Sequence, residues 1–333
     1  MAKYVSLKEV AALAGVSYQT AGKVLNGGDV RVAQGTAERI KAAAQELGYS
    51  PNTVARGLRR CSTMTIGLVA GSLRDPALAE FVVGAELAAR RRGQSVIVSN
   101  LTGDGTEGVD VVRSLIERRV DGIIAAAPEL EENVEVGELL RRYVPVVSLH
   151  RVMGGGIPLV GSDHREVARI AIEHLVASGR SKIGTIAGPG IRRVVQSRLR
   201  GANLALRSAG IDADPRLTVE ADWSPDGGAC ATEHLIERAG RFDGLFVHSD
   251  LMAIGVLHAL RVAGRLVPDD VAVVSCDDMP FAAYLKPSLT TVHLPFYETG
   301  EQAVELLLRT IHGEQVERKP ALLPVRLVVR RST

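Results

Sequence analysis

The sequence predicts an α/β protein: a small all-α head, then two Rossmann-like halves, each built on a parallel sheet. Three observations predict it. Residues 1–61 hold three short helical patterns and no strand pattern. From Thr65 onward, β-branched runs (Ile66–Ala70, Val96–Ser99, Gly122–Ala126, Val144–Leu149) alternate with helical patterns. The punctuation of that region also repeats. Ile66-Gly67 returns as Ile183-Gly184 and Gly93 as Gly210, both 117 residues later; Asp121-Gly122 returns as Asp243-Gly244 after 122, and Pro145 as Pro268 after 123. Four ordered matches at nearly constant spacing imply a duplicated unit.

In the head, Leu7, Val10, Ala11 and Ala14 fall at i, i+3, i+4, i+7. Ala21, Val24 and Leu25 repeat the pattern, and Ile40, Ala43, Ala44 and Leu47 repeat it again. Gly15 separates the first two helices, and Ser17 is placed to cap the second. Two helices around a short glycine turn, with a third to complete the core, form a helix-turn-helix pattern. With the apolar stripe facing inward, Gln19, Lys23 and Asn26 point outward and Tyr18 stands at the N-terminal edge. Their amide, ammonium and phenol groups suit base edges and phosphates. Tyr49-Ser50-Pro51-Asn52 ends the third helix, and residues 53–58 allow under two turns of helix, which is marginal without a partner.

The chain has 333 residues with 46% hydrophobic and 23% charged, which excludes a disordered or fibrous chain. No apolar run reaches the ~18 residues of a membrane span, and Met1–Ser6 offers no signal core. Cys61, Cys230 and Cys276 lie too far apart for a disulfide framework or a zinc spacing. A cytoplasmic protein with no metal is expected. Residues 1–61 hold nine Lys and Arg against four acids, a net +5, whereas the whole chain carries +2. A basic head on a mildly acidic body points to a polyanion partner.

The stretches SLKEVAALAGVSYQT, KVLNGG and RIKAAAQELGYSPNTVARGL, in that order, resemble the DNA-binding head of the LacI/GalR family of transcription regulators. The resemblance continues through ASGRSKIGTIAGP, SRLRGANLAL, SDLMAIGVLHAL, VPDDVAVVSCDD, PSLTTV and LVVRRST, so it covers nearly the whole chain. It implies a periplasmic-binding-protein-like sensor behind the head. The implied division is a head over 1–50, a hinge helix and linker over 51–63, and an effector-binding and dimerisation domain over 64–333. In that domain, about 64–160 plus 291–320 would form one subdomain, and about 161–290 plus 321–333 the other.

By the same resemblance, Tyr18, Gln19 and Lys23 read bases, and Asn26 and Asn52 contact the DNA backbone. Ser17, Thr20, Tyr49, Ala55 and Arg56 complete the DNA-contacting set. Leu58 matches the leucine that the family wedges into the minor groove at the operator centre, where unstacking is offset by the contacts of a bent site. Arg198 matches the effector-binding arginine, Asp277 the hydroxyl-binding acid and Trp223 an aromatic wall. Ser249, Arg151 and Phe296 are further cleft candidates. An aromatic face with Arg and Asp suits a polyol, so the implied effector is a sugar or sugar derivative, with nucleosides and sugar phosphates open. The implied protein is a homodimeric repressor of a near-palindromic operator on cytoplasmic DNA, with no cofactor. The sign of the effector, inducer or corepressor, stays open.

Several positions depart from the family pattern. Ala21-Gly22-Lys23 replaces the usual Val-Ser-Arg; Gly22 weakens the helix by about 1 kcal/mol relative to Ala, and Lys cannot fork onto a guanine as Arg does. Ala33 stands where a Ser usually caps the third helix. Ser249 replaces Asn, and Cys276 replaces an aromatic residue. Two other functions compete. Gly103–Gly108 is a literal G-x-G-x-x-G, with Asp121 near the ribose spacing of a nucleotide-dependent Rossmann enzyme. Asp104 and Glu107, however, put negative charge where a pyrophosphate would sit. A sugar-binding protein without specific DNA readout would share the body but not the basic head. Cys61, directly after the hinge segment, leaves a redox role open.

Overall fold

The computed structural model describes residues 5–25, 32–50, 62–101, 105–152, 155–317 and 319–333. It divides into two compact units, Met1–Thr63 and Met64–Thr333.

The first unit contains helices α1 (Leu7–Leu13), α2 (Tyr18–Leu25) and α3 (Gln34–Glu46). A reciprocal capping box starts α1: Ser6 Oγ accepts from the Glu9 N–H, and the Glu9 carboxylate accepts from the Ser6 N–H. Ser17 Oγ accepts from the Thr20 N–H at 3.0 Å, so the α2 cap expected from sequence forms. Ala33 gives α3 no side-chain cap. Leu7, Val10, Ala11, Ala14, Ala21, Ile40, Ala43 and Ala44 are buried together, and these are the positions picked out by the helical periodicity.

The second unit begins with a parallel sheet of β1 (Thr65–Ala70), β2 (Ser95–Asn100), β3 (Gly122–Ala126) and β4 (Val146–Ser148), in the order β2-β1-β3-β4. Its helices are α4 (Pro76–Arg91), α5 (Gly108–Glu117) and α6 (Val134–Tyr143). After β5 (Val160–Ser162) the chain enters a second sheet. That lobe holds α7 (His164–Ala177), β6 (Ile183–Ala187), α8 (Arg193–Ser208), β7 (Thr218–Glu220), α9 (Pro225–Ala239), β8 (Gly244–Val247), α10 (Asp250–Val262), β9 (Ala272–Asp277) and β10 (Thr290–His293). The chain then returns as α11 (Phe296–Ile311) and finishes with β11 (Ala321–Leu323) and β12 (Arg326–Val328). The second sheet runs β12-β10-β9-β8-β6-β7, with only β12 antiparallel; β11 pairs β5 in a separate two-stranded ribbon.

The sequence repeat has a structural cause. Asp121 accepts from the Met64 N–H at 2.8 Å, and Asp243 accepts from the Ser181 and Lys182 N–H groups, so each carboxylate ties down the entry to its lobe's first strand. Gly67 and Gly184 sit on those strands where an added Cβ would meet a leucine methyl at 3.0 Å. Gly93 and Gly210 end helices with φ of +70° and +73°, the left-handed region that glycine enters without a Cβ clash.

Two later segments carry the chain back and forth between the lobes. β10 stays in the second sheet to His293, so the return to the first lobe falls at Leu294-Pro295. α11 then packs on α4 and buries Ala303, Val304 and Leu307 with Ile66, Leu68 and Phe81. Ala321 and Leu323 also pack against that first-lobe core, whereas Val325 and Leu327 pack in the second lobe, so the last crossing falls at Pro324. Proline cannot donate to a ladder, which makes it a natural break between β11 and β12.

Candidate functional site

In the head, Ser17, Tyr18, Gln19 and Lys23 are exposed along α2, and Tyr18 keeps 51% of its surface open. Thr20 is half-buried, its hydroxyl 2.8 Å from that of Ser17. Tyr49 packs on the head's core rather than projecting freely. Gly22 is buried beside Ala21. The structure therefore presents a polar helix face flanked by a half-buried Thr20 and a packed Tyr49. Asn26, Asn52, Ala55, Arg56, Leu58 and Cys61, with most of the hinge segment, lie outside the described residues, as do Gly103 and Asp104 of the G-x-G-x-x-G run.

In the second unit, the carboxyl ends of the strands gather the candidate effector residues, as open α/β sheets do. Arg198, on the second turn of α8, is buried and donates through Nη1 to the His248 carbonyl at the end of β8. Its Nε is buried without a partner among the described residues. Asp277 ends β9 with φ +122° and is buried close enough to Arg198 to interact electrostatically; burial pushes its carboxyl well above the usual range, against the pull of Arg198. Asp75, which caps α4 in the first lobe, also lies in the field of Arg198. Arg198 thus lies within electrostatic range of Asp277 and of a first-lobe carboxylate.

Trp223 follows β7 with φ +70° and lies over Gly188, where an added Cβ would sit 2.2 Å from the indole Cζ2. A side chain at position 188 would therefore collide with the indole. Ser249 caps α10, accepting from the Met252 N–H at 3.1 Å, and its hydroxyl hydrogen remains available to donate. Phe296 starts α11 and packs against the cores of both lobes, which is a structural use of the ring. Arg151 is exposed in the loop after β4.

His248 and His164 lie close enough to Arg198 to feel its charge. Both imidazoles are pushed well below their ordinary pKa, first by burial and then by Arg198. Neither nitrogen of His248 has a partner among the described residues, nor does Nδ1 of His164. No motif in the sequence marks them; their role comes from folding beside Arg198.

Asp250, the residue after Ser249, holds the frame around these residues. Its carboxylate accepts from the Ser275 hydroxyl, from Thr291 Oγ1 at 2.7 Å and from the Met279 N–H at 2.7 Å, joining β9, β10 and the loop that follows Asp277. Burial outweighs these bonds and raises its pKa from 3.8 to about 6. A raised carboxyl favours the folded state while protonated, so this stability is lost as pH rises from 3.8 through 6. Urea unfolding of the wild type is expected to lose about 2 kcal/mol between pH 4.5 and 7 relative to Asp250→Asn. Parallel pH profiles for the two proteins would show that Asp250 does not titrate in this window.

The fold and site define a class: a helix-turn-helix head joined to a two-lobed ligand-binding sensor. Residues 6–52 match the lacI family of bacterial regulatory proteins, and residues 172–333 match the periplasmic binding protein-like domain. The chain is 32% identical over 326 residues to the ribose operon repressor of Escherichia coli, covering 96% of this chain and 98% of that one. Among solved structures it resembles the Lac repressor dimer bound to operator and the anti-inducer ONPF (TM-score 0.91, 32% identity, 99% of each chain). It also resembles the complex of the transcriptional regulator CelR with cellobiose (TM-score 0.76, 33% identity, 99% of this chain and 100% of that one). The chain belongs to the lacI family: it is a DNA-binding transcription regulator and not an enzyme.

Proposed function

We propose that the protein is a homodimeric cytoplasmic repressor that reads a near-palindromic operator and releases or tightens on it when a sugar-like effector enters the cleft. Support for the effector class comes from the cleft chemistry: one buried guanidinium, the Asp277 carboxyl and two neutral imidazoles around Arg198, with an indole on the same end of the sheet. Such a set hydrogen-bonds hydroxyls and covers C–H faces. The cellobiose and ribose names of its relatives support the same class. The observation that carries the reading is Arg198, held by the His248 carbonyl and within electrostatic range of Asp277 where strands of the second sheet end.

On the DNA side, Tyr18, Gln19 and Lys23 would enter the major groove from each half of the dimer, and Leu58 would wedge the central step. The experiment is selection of random duplexes on the full-length protein at fixed moderate salt. A palindrome with a central CG step is the expected winner. Leu58→Ala should lower affinity for that duplex at least tenfold while leaving binding to unrelated DNA within twofold. Binding that stays sequence-independent and salt-sensitive would refute specific readout. Equal loss on both DNAs would refute the wedge.

A further inference from the structure

Polar side chains tie the two lobes directly together beyond the carboxyl ends of β3 and β6. On the first lobe, β3 runs into a 3-10 turn, Pro128–Leu130, followed by Glu131 and Glu132. On the second, β6 runs into the loop whose residues Arg192 and Arg193 open α8. Arg192 donates to the Pro128 carbonyl at 3.0 Å and to Glu129 at 3.3 Å. The Arg193 N–H reaches Glu131 at 3.3 Å, and its guanidinium binds Glu132 at 3.0 and 3.2 Å. Two adjacent arginines of one lobe are thus engaged by three carboxylates and a carbonyl of the other.

The contacts differ in weight. Arg193 and Glu132 are exposed, and an exposed pair contributes little. Arg192 and Glu129 are mostly buried, and Glu131 is 4% exposed. Burial raises the Glu131 carboxyl, opposed by the Arg193 N–H and by both guanidiniums. Opening the cleft would strip Arg192 and Glu131 of these partners, so the cluster favours closure. Arg198 lies one and a half turns further along α8, so a shift of that helix that parts the clasp also moves the effector-site arginine.

We propose that Arg192 and Arg193, with Glu129, Glu131 and Glu132, form an interlobe clasp that closes the sensor and sets the operator affinity the effector then modulates. The regulatory half of this statement rests on the function proposed above; the mechanical half does not. A ligand shifts a two-state equilibrium only by its differential affinity, so the intrinsic bias fixes where that shift starts. Coupling of ordinary size changes a population about 5–150-fold.

The test is hydrogen exchange on the full-length dimer, paired with operator binding. Arg192→Met should raise amide exchange at least fivefold in the peptides over 127–133 and 188–193, while β8 and β9 stay protected. Arg193→Glu should raise it by a smaller factor, and adding Glu132→Arg to that variant should restore it. Operator affinity of Arg192→Met should change at least fivefold in step with the exchange. Unchanged exchange, or failure of the reversed pair to restore it, overturns the clasp. Raised exchange with unchanged operator affinity overturns its regulatory role. A wild type that selects no operator would instead refute the function proposed above, and the exchange result would stand independently of it.

Discussion

Replacing Arg198 with methionine is expected to suppress the effector response while leaving the sensor folded. The guanidinium is buried, so the methionine chain fills much of its volume and removes only the charge and the hydrogen bond. The His248 carbonyl keeps a second donor, the Cys276 thiol at 3.1 Å, and the His248 N–H keeps its bond to the Ile186 carbonyl at 3.0 Å. Local structure therefore persists. The electrostatics do not. Arg198 opposes the burial that raises Asp277, so without it Asp277 shifts further toward its neutral form. The same charge helps to hold His164 and His248 down, so their pKa values rise without it. A hydrogen bond to a charged group contributes about 1.5–3 kcal/mol, which corresponds to roughly 10–150-fold in ligand affinity. Thermal-shift screening against neutral monosaccharides, disaccharides and nucleosides would identify a ligand for the wild type. At the concentration that half-saturates the wild type, Arg198→Met should be less than about a tenth occupied, so it should show little shift and its operator affinity should barely respond. An undiminished response would remove Arg198 from the site.

Much of the architecture was legible because it is written in local periodicity. Leu7, Val10, Ala11 and Ala14 form a stripe in the sequence and a buried cluster in the fold, since a 3.6-residue repeat leaves one face to bury. Ile66–Ala70 and Gly122–Ala126 read as buried strands because their apolar runs are unbroken, and both lie inside the first sheet. The duplication was visible because Asp121 and Asp243 perform the same task, receiving N–H groups at the start of each lobe. What local periodicity could not show is where the chain changes lobe. β5, β11 and β12 have three residues each, too few for an alternation to register. α11 announces itself as a helix, but its membership of the first lobe depends on Phe81 and Ala85, more than 200 residues earlier.

The site divides along the same line. Arg198, Trp223 and Asp277 were visible through the motifs around them. The clasp was not, because Arg192 and Glu129 are 63 residues apart and neither belongs to a chemical motif. His248 belongs to no metal-like spacing in the sequence, so nothing there sets it apart. Only the proximity of Arg198, and ring nitrogens without partners among the described residues, give it another meaning.

Gly255→Ala should produce the largest loss of stability of any single methyl added to the sensor. Gly255 lies on α10 against α9, and a Cβ there would fall 1.8 Å from the Pro225 carbonyl oxygen and 2.6 Å from the Ala229 nitrogen. Across the same seam, a Cβ on Gly228 would fall 2.2 Å from the Met252 carbonyl oxygen. The two helices touch backbone to backbone, so no side chain can rotate away. Overpacking where side chains can yield costs about 1–3 kcal/mol. Here the helices themselves must part, and about 3 kcal/mol or more is expected, lowering Tm by roughly 6–12 °C for a domain of this size. The consequence reaches the site. Ser249 and Asp250 stand at the N-terminus of α10, and Trp223 immediately precedes Ser224, the cap of α9. Parting the helices would displace the indole from the Asp250 frame that positions Asp277. Tryptophan fluorescence should shift together with the melting transition, because Trp223 is the chain's one tryptophan. A melting temperature within 2 °C of the wild type would show that the seam relaxes at little cost. The close approach of α9 and α10 would then not be what fixes Trp223 beside Gly188.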